Sequence, residues 1–125
     1  MYTGGKAAVF AALTGDASLI ALIPADRIFN GSADFSGDPV FPYLTFDELN
    51  NGEGQSADND EIESEVTFRI NVFGTASLTT IAGHIDRIMK ALGYGRNYKQ
   101  EQDEALNEST IVKHAIMSYT GNFTA

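Results

Sequence analysis

The sequence predicts an α+β domain: a mainly antiparallel sheet of about four strands with helices packed on one face, in the order α-(α)-β-β-β-α-β. Three observations carry the prediction. Between Glu65 and Leu92 the apolar period changes from two to about three and a half. Two strand patterns flank a polar, glycine-rich stretch, which makes a hairpin. The last apolar segment alternates along its whole length.

The first helix is expected from about Thr3 to Gly15, with Ala7, Phe10 and Leu13 on one side. A second, short helix spans Ala17–Ile23 and stops at Pro24, because the residue before proline is pushed out of helical geometry. Arg27–Phe29 reads as a short strand, and residues 30–42 as a loop rich in Gly, Ser, Asp and Pro. Tyr43–Asp47 follows as a strand with Leu44 and Phe46 on one face. Residues 50–63 are polar apart from Ala57 and Ile62. They bury too little to offset their ordering entropy, so a long mobile loop is expected there. Asn51, Gly52, Gly54, Asp58, Asp60 and Glu61 are its candidate assembly residues.

Val66, Phe68, Ile70 and Val72 alternate with polar residues, the pattern of a half-buried strand about 20 Å long. Leu78, Ile81, Ile85, Ile88, Met89 and Leu92 then recur at helical spacing over about 21 Å, so this helix lies along that strand. Thr75 or Ser77 is placed to cap it and Gly93 to end it. Gly93–Lys99 reads as a helix-ending turn, and Glu101–Glu108 as a second acidic stretch. The closing strand, Thr110–Thr120, is apolar on both sides: Val112 and Ile116 on one, Ile111, Ala115, Met117 and Tyr119 on the other. A helix layer covers only one side, so the other is expected to meet a second subunit. Met117 and Tyr119 point to the odd-numbered side as that interface, with Ile111 and Ala115 beside them.

Composition narrows the function classes. The chain of 125 residues makes a single domain, 1–125. It contains no cysteine, which excludes disulfides and thiolate metal or redox sites. No apolar run reaches the eighteen or so residues of a membrane helix, and a cytoplasmic setting is expected. A formal charge of −9 repels free nucleic acid and anionic membranes. The acidic run Asp58–Glu63 lacks the glycine and glutamate spacing of a calcium loop. His84 and His114 are the only histidines and have no nucleophile motif near them. A small enzyme or ligand-binding domain using either one is the alternative reading. No catalytic, cofactor or metal site is expected.

Leu13–Phe29, with its Asp-Ala-x-Leu helix and Asp-Arg-Ile strand, resembles the opening of the small tail-completion, or tail-terminator, proteins of long-tailed bacteriophages. Pro42–Phe46 is similar to the family's next strand, Phe68–Leu92 to its central strand–helix unit, and Val112–Phe123 to its closing strand. The resemblance covers nearly the whole chain. The Asn50–Glu63 loop and the Glu101–Glu108 stretch have no counterpart in it. It implies a structural role, with the protein made in the host cytoplasm and placed at the virion's head–tail junction. There it forms a ring, usually hexameric, on the tail-tube protein, docks a head-side neck protein, and lets DNA pass through the lumen without specific binding. A head-side neck protein is the near alternative.

Overall fold

The computed structural model describes residues 5–35, 37–53, 63–105 and 110–124. The chain runs through α1 (Lys6–Thr14), α2 (Ala17–Ile20), a 3-10 turn (Ala25–Arg27), β1 (Ile28–Asn30), β2 (Tyr43–Glu53), β3 (Glu63–Gly74), α3 (Thr79–Ala91), β4 (Gly95–Ala105) and β5 (Ile111–Thr124). The strands form one sheet in the order β1-β2-β3-β5-β4. Only the β1–β2 pair is parallel.

Alternation in the strands sets the core. Leu44, Val72 and Ala115 lie in one row across the sheet, and Phe46, Ile70 and Met117 in the next; Phe68 pairs with Tyr119. All eight are buried, in one cluster with Val9 and Leu13 of α1, Leu19 of α2, and Ile81, Ile85, Ile88 and Met89 of α3. The helices therefore cover one face, as the period switch predicts. On α1 the buried stripe is Val9 and Leu13, while Phe10 is 40% exposed. That helix is apolar on every side, so its sequence did not disclose which side faces inward.

Local chemistry fixes the helix ends. The Asp16 carboxylate accepts the Leu19 backbone N–H at 3.0 Å and so caps α2. Arg87 of α3 donates two hydrogen bonds to the same carboxylate, at 2.8 and 3.0 Å. Gly93, at φ +97°, ends α3. Its N–H reaches the Lys90 carbonyl and the Tyr94 N–H reaches that of Met89, which satisfies carbonyls the helix leaves open. Leu78 stands at the N-cap position without a side-chain bond; Ser77 accepts the Thr79 N–H at a long 3.4 Å, and Thr75 makes no such cap.

Two stretches differ from expectation. The β2–β3 ladder extends through Glu53↔Ser64, so residues 50–53 and 63 belong to strands rather than to the loop. The segment from Gly95 to Ala105, read as turn and acidic stretch, is a fifth strand of 11 residues, paired along its length with β5 and exposed throughout. β2 and β4 are both bulged near one height of the sheet, β2 between Glu48 and Asn50 and β4 between Arg96 and Tyr98. Among the described residues no helix is long and apolar enough to cross a membrane.

Candidate interaction surface

The face of the sheet opposite the helices is partly covered among the described residues: the 31–42 connection packs on Tyr43, and Thr45 and Val112 on this face are 8% and 5% exposed. Its rows follow from the register. Tyr43 pairs with Phe73 and Phe73 with His114; Thr45 pairs with Asn71 and Asn71 with Ile116; Asp47 pairs with Arg69 and Arg69 with Ser118. The first row is aromatic: Tyr43 stacks on Phe73 at 4.7 Å, and Phe73 on His114 at 4.1 Å. Phe35 and Phe41, from the 31–42 connection, pack on Tyr43 at 5.0 and 5.6 Å, and Phe29 of β1 meets it edge-on at 6.3 Å. Burial in this cluster pushes the Tyr43 hydroxyl pKa up, and the nearby Glu104 charge adds to the shift. A notch of about 120 Å³ opens between Phe41, Tyr43, Phe73, Glu104 and Val112.

A polar chain runs alongside. His114 Nδ1 meets Glu104 Oε2 and His114 Nε2 meets Asn71 Oδ1, both at 2.9 Å. The bond from His114, then that from Gln102, holds the Glu104 carboxyl below its usual range. Gln102 and Gln100 continue the chain along β4 to the Tyr98 hydroxyl. A shallow depression of about 530 Å³ lies between Arg69, Asn71, Tyr98, His114 and Ile116. His114 borders it with Nδ1 against Glu104, Nε2 against Asn71 and one ring face stacked on Phe73. His84 stands on the exposed side of α3, where its Nδ1 meets Arg87 at 3.2 Å. The two histidines therefore lie on opposite sides of the molecule and share no site.

Three of the four residues expected at the subunit interface lie in the core of the chain itself. Ala115, Met117 and Tyr119 are 0%, 0% and 1% exposed, in the core beneath the helices. The Tyr119 hydroxyl donates to Asp86 on α3, and burial followed by this bond pushes its pKa far upward. Of the four residues, only Ile111, 58% exposed, is on the surface. On the other side of β5, Ile116, Ser118 and Thr120 are half-buried, while Val112 is 5% exposed. Alternation alone could not choose between two apolar sides. The positions of Asn51 and Gly52 fall within β2; Gly54, Asp58, Asp60 and Glu61 lie outside the described residues. No group of three or more metal-ligating side chains occurs among the described residues.

The sequence matches the family model described as Tail completion protein gp17 over residues 7–116, and the chain belongs to that family. It is thus a bacteriophage tail-completion protein, a structural component of the virion. A chain from the solved structure "Virion of native gene transfer agent (GTA) particle" is similar in fold. The TM-score is 0.64 at 15% sequence identity, over 95% of this chain and 93% of that one. Comparison with curated proteins finds no match.

Proposed function

We propose that this protein caps the head-proximal end of the phage tail tube as a ring, ends tube polymerisation, and presents the surface on which the head docks. Family membership over residues 7–116 is the observation that carries this reading. The similar chain comes from a virion, which agrees with a place in the particle. The helix-free face supplies the contact surface. Tyr43, Phe73 and Ile116 form an apolar centre, and Arg69, Asn71 and Glu104 a polar rim, the usual anatomy of a protein interface. Ile111 extends it at the end of β5. The partners in this reading are further copies of the chain, six in the ring, with the tail-tube protein below and a head-side neck protein above. DNA crosses the lumen without specific binding, in keeping with the formal charge of −9. The segment containing Asn51, Gly52, Gly54, Asp58, Asp60 and Glu61 is proposed as an assembly loop.

Deleting the gene in a particle-producing host tests the reading. Loss of a terminator gives overlong tubes without heads. Tails of normal length that fail to join heads would instead place the protein on the head side of the joint.

A further inference from the structure

The edge strand β4 is 11 residues long, exposed throughout and free of proline, and five of its residues are charged. Long edges of this kind are hazards that proteins shorten, charge or cover, or else use to add a strand. The opposite edge, β1, has three residues, so β4 is the extended one. Its side chains have an order that bears on this choice. Basic residues come first, Arg96 and Lys99; acidic residues come last, Glu101, Asp103 and Glu104; Gln100 lies between.

An antiparallel copy of β4 reverses that order. With a two-fold axis at Gln100, perpendicular to the sheet, Lys99 stands opposite Glu101 and Tyr98 opposite Gln102. Past the bulge at Asn97, Arg96 stands opposite Asp103. The faces agree. Arg96, Lys99, Glu101 and Asp103 pair on β5 with Tyr119, Met117, Ala115 and Lys113, so all four are on the helix side. Tyr98, Gln100 and Gln102 pair with Ser118, Ile116 and His114 on the helix-free side. Lys99 already approaches Glu101 of its own chain at 3.8 Å, so the axis builds a square of alternating charges. Opposite charges directly across a strand pair stabilise it, and like charges destabilise it. We infer that the free protein forms an isologous dimer in which β4 pairs antiparallel with β4 of a second copy, centred on Gln100.

This dimer is independent of where the protein sits in the virion. A two-fold contact consumes the edge and closes on itself. It keeps the strand from recruiting other sheets, and it leaves the helix-free face available for a ring.

The charges give the test. Sedimentation equilibrium of the full chain over a concentration series should show a monomer–dimer equilibrium that weakens with added salt. Lys99→Glu and Glu101→Lys should each weaken the dimer about tenfold or more, since each sets like charges across the axis twice. The double variant Lys99→Glu/Glu101→Lys should restore it. The chain has no cysteine, so an introduced thiol reports one contact. Gln100→Cys should oxidise to a covalent dimer, its partner being directly across the axis. Gln102→Cys should not, because the two copies of residue 102 are about 13 Å apart. A wild-type chain that stays monomeric, a double variant as weak as the single ones, or equal crosslinking at 100 and 102 would each overturn the inference.

Discussion

Tyr119 is buried at 1% exposure, yet its hydroxyl reaches the partly exposed carboxylate of Asp86 and lies 3.4 Å from Met117 Sδ. Removing the hydroxyl leaves Asp86 open to water, so Tyr119→Phe should cost only about 1 kcal/mol in a denaturant titration. Tyr119→Glu puts an unpaired charge among apolar side chains and should abolish folding, read by circular dichroism. The sequence signalled an important tyrosine but not its direction, because both sides of β5 are apolar. The hydroxyl's partner, 33 residues away on α3, decides it. Asp16 gives a second test. Its bonds from Arg87, then from the Leu19 N–H, hold its pKa down at about 2. A carboxyl depressed in the folded state adds stability above its unfolded value of about 4, and that stability is lost as pH falls through the folded value. Wild-type melting temperature should therefore fall between pH about 4 and about 2, and the Asp16-dependent part of that fall should vanish in Asp16→Asn. An identical acid profile in the variant would mean that the Asp16–Arg87 pair does not form in solution.

At the scale of elements, legibility followed burial. The β3–α3 unit was legible because one face of each is buried and the other wet, which writes both periods into the sequence. Ile85, at the middle of the α3 stripe, is 0% exposed. Ile85→Asp should cost several kcal/mol and leave an unfolded chain. A variant melting near the wild-type temperature would mean α3 is not docked as described. β4 was illegible for the complementary reason. With every residue exposed, nothing selects apolar side chains at alternate positions, and its support is the backbone ladder to β5. The β2 end was underestimated as well: Asn50–Glu53 looks like loop by composition but lies in register with β3.

For the whole molecule, the fold class and the helix-covered sheet were readable, and which side chains face away from the helices was not. An exposed sheet face carries aromatic residues just as a core does, and only the assembled sheet shows which set the helices leave bare. The assignment of that face is testable. Ile116→Glu, on the helix-free side, should leave melting within about 0.5 kcal/mol of wild type, as surface changes usually do. In tail-assembly complementation it should give overlong tubes or tails without heads. Tails of normal length joined to heads would place the contact surface elsewhere.

The aromatic row on that face also has an optical consequence. The chain has no tryptophan and only five tyrosines, so its near-ultraviolet absorption and circular dichroism at the long-wavelength end belong to tyrosine. Tyr43 is held against Phe73 at 4.7 Å and ringed by Phe29, Phe35 and Phe41, in a fixed asymmetric setting that gives a strong dichroic band. A partner settling over this row changes the surroundings of that chromophore while the far-ultraviolet signal of the helices stays constant. The unlabelled protein thus carries its own spectroscopic gauge of whether the helix-free face is open or occupied.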